Sequence, residues 1–353
     1  MTEIIDDLMD PALADYELVA AAESEGLVDG FGRVHRDLRI SLTDHCNLRC
    51  VYCMPADGVP WLPKPDLLTK DEIIKVADVA VQAGISEIRL TGGEPLLRPD
   101  LAELVSGLAQ LDGPSGHPEI SMTTNAIGLA KSAAKLHQAG LARVNISLDT
   151  LRPERFAAMT RRDRHADVIA GILEATRHFA PVKLNTVLMR DSNDDEAVEL
   201  LEWAVEHGAE LRFIEQMPLD AGHVWRREGM VTADEVQSAL SQAHKLTPVP
   251  GRGAAPAERF LVDGGPACVG IIASVTRPFC GSCDRLRLTA DGQLRNCLFA
   301  RNEIDLRTPL RSGADDEQIT ALIYESLMRK RAGHGINDPD FLQPARPMSA
   351  IGG

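Results

Sequence analysis

The feature that most limits how this chain can fold is a repeated alternation of short β-rich runs with amphipathic helical stretches. The runs are DLRISLT (37–43), EIRLTGG (87–93), EISMTTN (119–125), RVNISLD (143–149), VKLNTVL (182–188) and ELRFIE (210–215). Between them lie segments such as TKDEIIKVADVAVQAG (69–84), where Thr69 and Glu72 have capping-box spacing and Gly84 suits a C-cap. Strands separated by helices of about 10–15 residues pair in parallel through right-handed crossovers. Six such units predict an α/β fold, an incomplete (βα)6 barrel of the TIM type, with its chemistry in the loops after the strand C-termini. Most of those loops open on polar or cysteine-bearing sequence: TDHC, TGGEP, TTN, SLD and EQMP.

After about residue 220 the rhythm changes. A helix near 232–244 and a Pro/Gly/Ala-rich stretch at 248–257 precede the β-rich runs ERFLVD, ACVGIIASV and RLRLTADGQLRNCLF. Asp291-Gly292 is a hairpin signal, and a last helix is expected near 315–331. The organisation read from this is an N-terminal extension (1–34), a barrel (35–220), a C-terminal β-rich region (221–336) that closes it, and an irregular tail (337–353). The extension starts with weak helical periodicity at Ile4, Ile5, Leu8, Met9 and Leu13.

A formal charge of −15 gives no general attraction to nucleic acid or anionic lipid, so a polyanionic ligand would need a local basic pocket. No apolar run approaches the roughly 20 residues that span a bilayer, and the acidic start MTEIIDDLMD is unlike a secretory signal. A soluble, cytoplasmic protein is expected.

Six of the seven cysteines fall in two groups of three. In a long chain without a signal peptide this favours metal or redox chemistry over disulfides. Cys46, Cys50 and Cys53 form CxxxCxxC directly after the first strand. Three thiolates can hold three irons of a 4Fe-4S cube that ordinarily takes four cysteines, leaving one iron open. A Cys3His zinc site through His45 is the competing reading, but neighbours in sequence do not easily face one ion, and zinc sites favour CxxC spacing. Cys280, Cys283 and Cys297 form CxxCx13C, either a second open cluster or a zinc ribbon completed by Cys268.

RISLTDHCNLRCVYCMP resembles the signature loop of the radical S-adenosylmethionine (SAM) superfamily, and TGGEP its second element. FCGSCDRLRLTADGQLRNCLF resembles the C-terminal signature of one branch, the GTP 3′,8-cyclases of molybdenum cofactor biosynthesis. That likeness runs from about Arg36 to Gly353 and includes LTGGEPLLR, NISLD, RFIEQM and the terminal Gly352-Gly353. It departs at His45, where arginine is common, at TTNA for TTNG, and at a PSG insertion near 114–116.

The resemblance implies two 4Fe-4S clusters, one on each cysteine triplet, the second binding the guanine of GTP. It implies that Tyr52, Gly93, Ser147 and Met217 contact SAM, with Asn125 a weaker candidate. It implies that Arg39, Arg89, Thr123, Lys183, Arg285 and Arg287 contact GTP, while Arg212 is a weaker candidate from its position in the sixth strand alone. Reductive cleavage of SAM would give a 5′-deoxyadenosyl radical that takes hydrogen from C3′ of the ribose, and the carbon radical would then attack C8. The product would be (8S)-3′,8-cyclo-7,8-dihydroguanosine 5′-triphosphate, with no side chain acting as a conventional nucleophile. A reductant protein and hand-off to a downstream cyclic pyranopterin monophosphate synthase are implied partners, and a homodimer is compatible with the sequence.

The residues themselves argue partly the same way. A lone arginine is usually a solvated surface charge, but Arg39, Arg89 and Lys183 lie within expected strands, where inward-facing charge is costly without an anion. Arg285 and Arg287 are two apart, so on an extended segment they share a face. The terminal Gly-Gly reads as a disordered end on sequence alone, and as a tail reaching the active site by resemblance. The competing functions are another radical SAM enzyme with an auxiliary cluster, or a non-catalytic zinc-binding regulator.

Overall fold

The computed structural model describes residues 26–352, so the periodicity at residues 4–13 and the terminal Gly353 lie outside the described residues. The six runs form β1 (Asp37–Ser41), β2 (Glu87–Thr91), β3 (Glu119–Thr124), β4 (Arg143–Ser147), β5 (Val182–Val187) and β6 (Ala209–Ile214). They pair in parallel and in chain order. Helices Lys70–Gln82, Leu101–Ala109, Leu129–Gln138, His165–His178 and Ala197–Glu206 alternate with them, joined by a shorter one at Pro153–Thr160. The first is started by the expected capping box, Thr69 and Glu72 each accepting from the other's backbone N–H, and Gly84 follows its end at φ +108°.

Period-2 alternation decides which face of each strand meets the helices. Leu38, Ile40, Ile88, Leu90, Ile120, Met122, Val144, Ile146, Leu184, Leu211 and Phe213 are buried in one apolar core with the helices. The opposite face carries Asp37, Arg39, Arg89, Asn145, Lys183, Asn185, Glu210 and Arg212, with Arg39 level with Arg89 and Asn185 level with Arg212. A filled TIM-type barrel puts branched apolar residues there. This interior is instead polar and holds a cavity.

The C-terminal region adds β7 (Leu246–Val249), β8 (Glu258–Val262), β9 (Cys268–Ile272), β10 (Arg285–Leu288), β11 (Gln293–Arg295) and β12 (Ile304–Asp305). It extends both edges of the arc, since β9 pairs parallel with β6 and β10 pairs parallel with β1. The remaining four strands continue outward antiparallel, and the full order is β12-β11-β10-β1-β2-β3-β4-β5-β6-β9-β8-β7. The two ends do not pair, so the barrel is open in hydrogen bonding, and the connection 273–284 crosses from one edge to the other. The Asp291-Gly292 turn joins β10 to β11, with Gly292 at φ +79°. Helices Ala233–Ala243 and Asp316–Met328 start at their own capping boxes, Thr232/Glu235 and Asp315/Gln318.

The tail departs from the expected irregular, disordered end. Its last described turn is helical, Met348–Ile351, anchored by Met348 N–H donating to Leu219 O at 2.9 Å. Ile351 is buried with Leu219, Met230, Val275, Phe299 and Ile336, and this second apolar cluster outweighs the freedom that Pro and Gly would otherwise give. Among the described residues no helix is long and apolar enough to cross a membrane.

Candidate active site

The loop after β1 brings Cys46, Cys50 and Cys53 onto one cavity of about 160 Å³. Gly92, Gly93, Glu94, Asn125 and Ser147 complete much of its wall. A Cβ on Gly93 would lie 2.1 Å from His45 O, and one on Gly92 would lie 2.5 Å from Thr43 O. Both glycines are therefore required by the chain's own cysteine-bearing loop, whose carbonyls accept from this turn, Thr43 O from Gly93 N–H and His45 O from Glu94 N–H. Glu94 is already engaged within the protein. It accepts from the Thr124 hydroxyl (2.6 Å), Asn125 N–H (2.7 Å) and Leu96 N–H (3.0 Å), tying this loop to the end of β3. Burial pushes its carboxyl up to about 7 against those bonds.

The three thiols form a donor set suited to a cluster. Burial raises all of them, Cys53 to about 12, and Cys46 adds to the rise at both Cys50 and Cys53, so the three share one desolvated pocket. Leu48 N–H (3.5 Å) and Asn125 Nδ2 (4.0 Å) point at Cys46 Sγ. His45 turns away and stacks on Trp61 with ring centroids 4.7 Å apart, which removes it as a fourth ligand. Among the described residues no three Cys, His, Asp or Glu side chains converge tightly enough for one metal ion.

A second cavity of about 270 Å³ occupies the barrel interior and shares Tyr52, Thr123, Ser147, Asp149 and Met348 with the first. Its far side is formed by Cys280, Cys283 and Cys297, so the two triplets face one continuous space. Cys268 sits half-buried on β9 and lines neither cavity. Met217, expected at SAM, lines the larger cavity. Phe299 N–H donates to Cys297 Sγ at 3.4 Å. Burial works against ionising Cys283, but Lys330 and Arg285 overcome it and hold the thiol below its ordinary range.

Arg39, Arg89, Arg212, Arg285 and Arg287 all reach the larger cavity. Lys183 lies beside them on β5, level with Asn145 and Glu210 but off the cavity wall. Burial pushes Arg39 down to about 10 and Arg287 to about 9, with further repulsion from each other's neighbourhood of arginines. Lys183 falls to about 8, first through burial and then through Arg212. Burial opposes ionisation of Asp37 too, yet Arg39, Arg89, Arg285 and Arg287 around it keep its carboxyl low. The Nε atoms of Arg89 and Arg285 and Oδ1 of Asn185 are buried without a hydrogen bond among the described residues. Buried cations in excess of carboxylates, with donors unspent, call for an anion.

Sequence reading missed Asp149 and Asn185. Asp149 accepts from the Tyr52 hydroxyl (2.7 Å) and from Val187 N–H (2.9 Å), fixing the aromatic ring between the two cavities. Its place in SLD, two residues after Ser147, was the available signal. Lys330 and Met348 carried none.

A partial βα barrel whose first loop presents three cysteines to an interior cavity is the architecture of a radical SAM enzyme. The Radical SAM superfamily model matches residues 40–204, and the Molybdenum Cofactor Synthesis C model matches residues 209–336. A protein of Streptomyces coelicolor described as GTP 3′,8-cyclase is 59% identical over 340 residues, covering 94% of this chain and 99% of its own. One of Rhodococcus opacus with the same description is 53% identical over 340 residues, covering 95% of each. Among solved structures, Streptococcus suis SuiB superposes with a TM-score of 0.55 at 14% identity, covering 84% of this chain and 68% of that one. Its S-adenosylmethionine-bound form gives 0.53 at 14% identity over 80% and 66%, a likeness of fold alone. This chain belongs to the GTP 3′,8-cyclase family.

Proposed function

We propose that this chain converts GTP to (8S)-3′,8-cyclo-7,8-dihydroguanosine 5′-triphosphate, the first step of molybdenum cofactor biosynthesis. The observation that carries the reading is one interior space with a cysteine triplet at each side and five arginines between. Cys46, Cys50 and Cys53 would hold a 4Fe-4S cluster, which with bound SAM supplies a 5′-deoxyadenosyl radical. Tyr52, held by Asp149, offers its ring to an adenine, while Gly93 and Ser147 line the same cavity, next to Met217 in the other. Cys280, Cys283 and Cys297 would hold the second cluster, against which the guanine is oriented. Arg39, Arg89, Arg285 and Arg287, with Thr123 and the nearby Lys183, would take the triphosphate, because forked guanidiniums match phosphate oxygens. The protein's work is to bind, orient and exclude water around a reaction whose difficult step the cofactor supplies.

A reductant protein and hand-off of the product to a cyclic pyranopterin monophosphate synthase follow from the same reading. The test is anaerobic reconstitution followed by SAM, reductant and either GTP or ATP. A cyclised nucleotide formed with GTP and not ATP, together with 5′-deoxyadenosine, is expected. SAM cleavage that ignores GTP and gives no nucleotide product would overturn the substrate assignment.

A further inference from the structure

The segment 26–35 precedes both regions matched by family models, 40–204 and 209–336, yet it packs against the second cysteine triplet. Val28 bridges to Val34, closing a small loop around Asp29. Asp29 Oδ1 accepts from Phe31 N–H (2.9 Å) and Arg33 N–H (3.1 Å), while Oδ2 accepts from Arg33 Nε (2.6 Å). So fixed, Arg33 donates through Nη1 to Cys280 O (2.8 Å) and Ala332 O (3.1 Å), and through Nη2 to Arg331 O (2.9 Å). The Tyr324 hydroxyl donates to Gly26 O at 2.8 Å, fastening the start of the segment to the helix Asp316–Met328.

Beside this clamp, Lys330 is buried, with 5% of its surface exposed. Its Nζ donates to Arg285 O (2.8 Å), to His35 Nε2 (2.8 Å) and to Cys283 Sγ (3.8 Å). His35, fully buried, therefore presents an unprotonated Nε2 to the ammonium, with Nδ1 directed at Leu27 O (3.3 Å). A buried ammonium is costly unless an anion lies beside it. Two groups can supply that negative charge: Asp29, which lies behind His35, and the Cys283 sulfur, which as a cluster ligand would be a thiolate and is the one the ammonium reaches directly.

We propose that Asp29, Arg33, His35 and Lys330 form a support for the second cluster in which Lys330, as a positioning residue, donates to the Cys283 sulfur and raises that cluster's reduction potential. The proposal rests on the reading that Cys280, Cys283 and Cys297 hold a 4Fe-4S cluster. Reduction adds negative charge to a site already bearing three thiolates, and a fixed ammonium with a hydrogen bond to one sulfur stabilises the reduced state more than the oxidised. Asp29, an anion behind His35 and 3.6 Å from its Nε2, acts in the opposite sense.

The test is a potential titration, monitored by electron paramagnetic resonance, of the full-length enzyme with both clusters reconstituted without oxygen. Lys330→Met should make the second cluster at least tenfold harder to reduce, about 59 mV more negative for a one-electron couple, while the first cluster keeps its potential. Asp29→Asn should move the second cluster in the positive direction. Opposite shifts identify charge tuning, because loosened packing would not change sign with the charge removed. If Lys330→Met fails to retain the second cluster, the positive shift in Asp29→Asn decides alone. An unchanged second-cluster potential, or shifts of one sign in both variants, would overturn the proposal. A wild-type protein with iron and sulfide for only one cluster would instead defeat the underlying cluster reading.

Discussion

Single residues in the barrel interior are arranged for a ligand at the expense of the empty protein. Arg89 is the clearest case: its Nε is buried without a hydrogen bond among the described residues, and burial followed by repulsion from Arg212, Arg143 and Arg285 lowers its pKa against the pull of Asp37. Arg89→Met should therefore leave the melting temperature of the ligand-free protein unchanged or raise it. The same change should weaken GTP binding by the worth of a charged hydrogen bond, about 1.5–3 kcal/mol, or roughly 10- to 150-fold. Calorimetric binding beside a thermal melt checks both halves, and a lower melting temperature with unaltered affinity would make Arg89 structural. In sequence, Arg89 was legible as a candidate because a strand carries it; its unpaired Nε was not, since that depends on what the other strands of the arc place around it. The glycines of TGGEP show the converse. Two glycines in a row after a strand allow a close backbone approach, and the backbone they approach in the structure is the cysteine loop at His45 and Thr43.

At the scale of elements, β1 to β6 were readable because apolar and polar residues alternate with period two over each run and helical spacing fills the gaps. The placement of β9 and β10 was not. Alternation says which face of a strand is buried and nothing about which edge it joins, so a hairpin-rich region gave no sign that it would flank the arc on both sides. The terminal turn Met348–Ile351 was hidden for a related reason: its partners Leu219 and Phe299 are distant in sequence. That turn carries Gly352 to the barrel, where its carbonyl accepts from Arg287 Nη1. Gly352 has φ +86°, and a Cβ there would lie 2.9 Å from Thr91 Cγ2. Gly352→Ala should displace this residue from its place against the barrel, because a left-handed conformation costs a non-glycine residue about 1–2 kcal/mol and the added Cβ would press on Thr91. Global stability should then change by under about 1 kcal/mol while turnover falls roughly 10- to 100-fold through misplacement of Arg287. Unchanged turnover in single-turnover product assays would remove the tail from the site.

For the molecule as a whole, a chain of net charge −15 has gathered cations where solvent is least available. Electrostatics then make the ligand a structural component, and its binding should depend on pH through Lys183. Burial, and after it Arg212, takes this lysine down to about 8 from an ordinary 10.5. Below pH 8 both folded and unfolded chains hold the proton, and the empty protein bears the full cost of the buried charge. Between about 8 and 10.5 the folded chain has released the proton and the unfolded chain has not, so ligand-free stability rises with pH across that window. Binding runs the other way. A triphosphate beside Lys183 favours its charged form, so a proton is taken up on binding above pH 8, and affinity should fall as pH climbs, by at most about tenfold per unit. Titrating the Kd of GTP from about pH 7 to 8.5, below the range in which Arg287 would follow, tests this, with Lys183→Met expected to bind more weakly at pH 7 and to lose the decline that begins near 8. A wild-type affinity that stays flat through pH 8 would place Lys183 away from the phosphates and leave the triphosphate to the arginines alone.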